Sequence, residues 1–150
     1  MENSKYYTPE ISEFHVGFEY EMKRGFQDGT VKSQEDFDSA EWEKRTCSLS
    51  GDPYIDRALN GKNAENGRCG IRVKCLDRDD IESCGWKPLN RNPFIYTVES
   101  GMNVYSLRIF EDTRLVEIAF GVDKDRLNTF YGTIRNKSEL KKLMQQLNIK

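Results

Sequence analysis

Histidine is almost missing from this chain: His15 is the only one in 150 residues. Sites that gather several imidazoles around a metal are excluded, and at most one histidine base is on offer. The four cysteines, Cys47, Cys69, Cys75 and Cys84, contain no CxxC pair, so no zinc ribbon or CxxC redox motif is encoded. No stretch approaches the ~20 apolar residues of a membrane-spanning helix. The opening MENSKYYTPE lacks the basic start and apolar centre of a secretion signal. The location expected from these absences is the cytoplasm, with free thiols and no membrane partner. Neither GxxxxGK[ST] nor GxGxxG after a strand occurs, which removes the common nucleotide-binding loops. Net charge is also small: 23 basic against 25 acidic side chains give −2, too little for an overall pull toward nucleic acid.

What the chain does have is aromatic residues, 11% of the total, within a 37% apolar content that suits a folded body with polar loops. The length fits a single domain over residues 1–150. Alternation over Phe14, Val16, Phe18, Tyr20 and Met22 predicts a strand with one buried face and His15, Glu19, Glu21 and Lys23 on the wet one. Ahead of it, Thr8-Pro9-Glu10 reads as the cap of one helical turn. Residues 24–50 form a polar excursion, with a short helix expected near Ser39 to Arg45. Asp52-Pro53, Ile55, Ala58, Leu59 and Gly61 have the cap, proline, spacing and stop of a two-turn helix, followed by a glycine- and asparagine-rich loop.

Ile71, Val73 and Cys75 mark a second strand, after which Asp77 caps a short helix that stops at Gly85. Phe94 to Glu99, Val104 to Phe110 and Leu115 to Phe120 read as a hairpin-linked meander, and Thr129 to Arg135 as a last strand. Asn136 then caps an amphipathic helix with Leu140, Leu143, Met144 and Leu147 on one stripe. The expected class is α+β: a mainly antiparallel sheet of about five to six strands with two or three short helices.

Few residues suggest chemistry. His15, Cys69 and Cys75 have no evident catalytic partner, and strand cysteines usually serve as small apolar residues. Glu19 and Glu21, with an acid such as Glu99 or Glu117 from a neighbouring strand, would be needed for a metal-dependent hydrolase. From Val122 onward there are seven Lys/Arg against three Asp/Glu. Arg135, Lys137, Lys141 and Lys142, with Phe130 and Tyr131, are therefore candidates for holding phosphate and stacking bases. Tyr6 and Tyr7 form an aromatic opening able to dock on a partner. No cofactor and no metal site is expected.

Three blocks, YYTPEISEFHVGFEYE, IRVKCLDRDDIESCGW and FYGTIRNKSELKKLMQQLNI, cover about a third of the chain. They resemble a group of small uncharacterised proteins of gut Bacteroidales bacteria, their prophages and phages. The resemblance implies a mobile-element setting in the bacterial host cell and an accessory role, and it transfers no functional residue. The expected function is a non-catalytic binding or adaptor module with a protein partner. Nucleic-acid binding through the basic C-terminal region is the alternative, and a metal-dependent hydrolase the third.

Overall fold

The computed structural model describes residues 5–26, 29–48, 55, 58–59, 69–89, 92–110, 114–121 and 127–150. The chain divides into two compact units, Met1–Cys75 and Leu76–Lys150, each built on its own antiparallel sheet. The class is α+β, as the alternation implies, but the strands belong to two sheets of four and five rather than one. Alternation marks which residues form strands and is silent on which strands share a sheet.

The first unit contains β1 (Tyr6–Tyr7), a 3-10 turn (Ile11–Glu13), β2 (Glu19–Lys23), α1 (Gln34–Ser39), β3 (Trp42–Thr46) and β4 (Ile71–Lys74), with strand order β1-β4-β2-β3. The turn at Ile11 exists, but Glu10 rather than Thr8 caps it, in a reciprocal capping box with Glu13. The predicted strand from Phe14 is shorter than its pattern. The Phe18 N–H donates to the His15 carbonyl at 2.9 Å, and Gly17 between them adopts φ +89°, a left-handed conformation suited to glycine. That reversal points Val16 outward at 67% exposure, while Phe18 and Met22 are 0% and 1% exposed. Phe14 rejoins the same core from before the turn, its ring 5.0 Å from that of Phe18 and 5.3 Å from that of Tyr20. Ile71 and Val73 complete the core from β4, joined by Ile55 and Ala58. Ile55, Ala58 and Leu59 are helical as expected, whereas Asp52, Pro53 and Gly61 lie outside the described residues.

The helix expected near Ser39 to Arg45 is a strand instead. Helix α1 comes earlier, where the Ser33 hydroxyl accepts from the Asp36 N–H at 3.0 Å and the Asp36 carboxylate accepts from the Ser33 N–H at 2.9 Å. Hydrogen bonds from the Ser33 side chain, and then from the Lys32 and Ser33 amides, hold the Asp36 carboxyl below the usual carboxylate range. After α1 the chain extends, and Trp42–Thr46 pairs along its full length with β2.

The second unit contains α2 (Arg78–Ser83), β5 (Lys87–Pro88), β6 (Ile95–Ser100), β7 (Asn103–Ile109), β8 (Leu115–Phe120), β9 (Leu127–Thr133) and α3 (Lys137–Gln146), its strands in sequential order. Asp77 caps α2 by accepting from the Asp80 N–H, and Gly85 at φ +93° follows its end. Asn136 caps α3 by accepting from the Glu139 N–H at 2.9 Å, and the Glu139 carboxylate accepts from the Arg135 N–H at 2.6 Å. Tyr96, Leu107 and Ile118 are aligned across three strands and share a core with Ile81, Trp86, Leu140 and Met144. The Trp86 indole N–H points at the Met144 sulfur, 3.3 Å away.

Phe18→Ala should cost roughly 3–5 kcal/mol, because it empties a ring-sized volume from a closed core. Val16→Ala should stay within about 0.5 kcal/mol, as exposed changes do. Urea denaturation of both variants checks the pair, and equal losses would place Val16 in the core as well.

Candidate functional site

Register determines what the first unit offers on the face of its sheet opposite Tyr20 and Met22. Directly opposed residues of antiparallel strands share a face. Glu21 lies opposite both Arg72 and Lys44, Lys23 opposite Trp42, and Tyr6 opposite Lys74. This gathers two rings and several cations that are distant in sequence.

Arg72 is at the centre. Its guanidinium carbon is 3.7 Å from the centroid of Tyr6 and 4.1 Å from that of Trp42. Its Nε–H donates to Glu21 Oε2 at 2.7 Å. A guanidinium is planar and weakly hydrated, so ring contact on its faces leaves its edge donors available for carboxylates. Lys23 stands nearby and is buried, 6% exposed, with its ammonium 5.1 Å from the Trp42 centroid and 5.2 Å from that of Phe37. The ammonium donates to the Ala40 carbonyl at 2.6 Å, tying β2 to the end of α1. A buried cation needs such compensation, here supplied by one carbonyl and two ring faces.

Beside this stack lies an open cleft of about 300 Å³, lined by Tyr6, Tyr7, Thr8, Phe37, Trp42 and Arg72, with Cys69 and Ile71 also reaching it. Burial raises the Cys69 thiol above its ordinary range, against a smaller lowering by the Ile71 N–H that donates to its sulfur at 3.4 Å. The thiol is thus protonated at neutral pH and unsuited to attack as a thiolate. His15 is not among the lining residues. It sits in the turn before β2, its ring 5.7 Å from that of Phe18, and its Nδ1 is buried with no hydrogen-bond partner among the described residues.

The acidic candidates are divided between the two units. Glu21 is engaged by Arg72, while Glu99 and Glu117 belong to strands of the other sheet. No group of three His, Cys, Asp or Glu among the described residues is placed to hold a metal ion.

The basic C-terminal set is divided. Phe130 pairs with Ile118 and packs against the core that also holds Leu140 and Met144 of α3. Tyr131 pairs with Glu117 and so faces the other side of the sheet, where it is 61% exposed and meets Phe110 edge-on at 5.9 Å. Lys137 and Lys141 lie near Cys84, whose thiol is raised by burial and partly lowered by these two charges. Lys141, Lys142 and Arg135 are exposed on α3 and just before it. The lysines and Tyr131 thus occupy opposite sides of one sheet. Tyr6 and Tyr7, in contrast, both line the cleft.

Comparisons with protein-family models, curated proteins and solved structures each give no match.

Sequence reasoning missed Arg72, Trp42, Phe37 and Lys23 as a group. Trp42–Thr46 holds one apolar residue among four polar ones, so no apolar–polar alternation marks the strand, and the pairing of β2 with β3 and β4 follows only from the fold. Arg72→Lys should cost about 1–2 kcal/mol, because lysine has no plane to fill the space between two rings. Lys44→Arg on the same face should change stability by less than about 0.5 kcal/mol. Thermal melting of the two variants measures this, and an Arg72→Lys protein as stable as the parent would remove the stack from the account.

Proposed function

We propose that this protein is a non-catalytic binding or adaptor module of phage or prophage type, which engages a partner protein in the bacterial host cytoplasm through the cleft beside Arg72. The observation that carries the reading is the state of the polar groups around the cleft. Glu21 is committed to Arg72, Lys23 to Ala40, and Cys69 is held as a thiol. Such groups brace a surface and are not poised for proton transfer or nucleophilic attack. Half-buried rings in a concave site with a few fixed polar groups suit recognition of a ligand. The mobile-element setting rests on the resemblance of the three sequence blocks.

The reading can be tested by photo-crosslinking in a lysate of phage-carrying Bacteroidales cells. Benzoylphenylalanine placed at Thr8, on the cleft, should give one reproducible protein adduct, and the same probe at the exposed Glu82 of α2 should not. No adduct from Thr8, or the same adducts from both positions, would contradict it.

A further inference from the structure

We propose that the cleft beside Arg72 recognises a protein segment that carries a carboxylate next to an apolar or aromatic side chain. The inference rests on the binding-module reading and adds the chemistry of the partner.

Charge is the first argument. Among the described residues lining the cleft the one ionic group is Arg72, and none of them is an acid. The face of the sheet behind it carries Arg72, Lys74, Lys23 and Lys44 against Glu19 and Glu21, an excess of two positive charges. Lys23 keeps its ammonium against Trp42 and Phe37, two of the lining rings, so positive charge stands behind the aromatic wall as well as within it. Glu13 stands at the Tyr7 edge of the cleft, its carboxylate accepting from the Tyr7 hydroxyl at 2.6 Å, while at the Arg72 end the excess of cations favours an anion.

Donor geometry is the second argument. Arg72 has five N–H donors, and Nε–H is the one with a protein acceptor among the described residues. Its side chain is 28% exposed, so the guanidinium is fixed by two rings and still reachable from outside. A preoriented fork of this kind matches a carboxylate, and being already ordered it loses little freedom on binding.

Size and composition separate a peptide from nucleic acid. A cleft of about 300 Å³ holds one or two side chains, and its lining is otherwise aromatic, aliphatic and hydroxylic. Binding to a nucleic-acid backbone relies on several cations that follow successive phosphates. Here a single guanidinium among the described residues faces the cleft. That pattern fits one acidic group beside one apolar side chain.

The test uses the full chain and three terminally blocked tetrapeptides, Gly-Phe-Asp-Gly, Gly-Phe-Asn-Gly and Gly-Phe-Lys-Gly, with a short oligothymidylate as the phosphate probe. Binding is followed by NMR at the Trp42 indole N–H, with the indole of Trp86, buried in the second unit, as the internal reference. The aspartyl peptide should shift the Trp42 signal saturably and bind about tenfold tighter than the asparaginyl peptide, with the lysyl peptide weakest. Thr8 is exposed on the cleft and outside the stack, so Thr8→Glu should weaken the aspartyl peptide severalfold and Thr8→Lys strengthen it, without a change in melting temperature. Equal binding of the aspartyl and asparaginyl peptides would overturn the proposal. So would a Trp42 response to oligothymidylate with none to the peptides. If no peptide binds but the Thr8 crosslink persists, the carboxylate inference falls and the binding-module reading stands. If both fail, both fall.

Discussion

The first unit depends on one arrangement, a guanidinium held between two rings. Tyr6 comes from β1, Arg72 from β4, Trp42 from β3, and the carboxylate that receives the Arg72 Nε–H comes from β2. Every strand of that sheet thus contributes a group to the same stack. This matters most for β1, which has two residues and, among the described residues, pairs only with β4. A pairing that short supplies few backbone hydrogen bonds, so side-chain contact has to anchor it. Lys23 extends the arrangement through Trp42 and Phe37 to the Ala40 carbonyl, which also fastens α1 to β2. Four of the residues that brace this sheet, Tyr6, Phe37, Trp42 and Arg72, also border the cleft, so structure and recognition share them.

The second unit is organised differently. Its sheet is a sequential meander, and its helices are held by apolar burial and local caps rather than by cation–ring contacts. Leu140 and Met144 of α3 join Tyr96, Leu107 and Ile118 in one core, and the Trp86 indole closes on the Met144 sulfur. An isolated helix of ten residues is marginal in water, so this packing is what maintains α3. The Lys150 N–H and the Asn148 carbonyl share the Ser100 hydroxyl at the β6–β7 turn, which fixes the chain end.

Local rules were legible wherever one short stretch contained its own instruction. The caps at Asp77 and Asn136, the stop at Gly85 and the run of strands from Ile95 to Phe120 could all be read directly. The strand expected from Phe14 was overdrawn because apolar spacing continues through a turn that a glycine at φ +89° permits. The Ser33 and Asp36 capping box starts α1 at Gln34, five residues before the helix expected from Ser39, and the residues from Trp42 form strand β3. The cleft was legible only in part. Tyr6 and Tyr7 stood out as an aromatic pair, but nothing near them in sequence points to Arg72, which lies 66 positions beyond Tyr6 and meets it through strand pairing. Tyr131 and the C-terminal lysines lie on different sides of the sheet because shifting by one residue along β9, from Phe130 to Tyr131, changes the face.

The central claim is that Arg72 and Trp42 are energetically coupled, and a double-mutant cycle measures that coupling most directly. Urea denaturation of the parent, Arg72→Met, Trp42→Leu and the double variant should give an interaction of about 1–2 kcal/mol, the range for a partly desolvated cation–ring contact. Losses that add to within about 0.3 kcal/mol would contradict the account, leaving Arg72 beside the ring without being held by it.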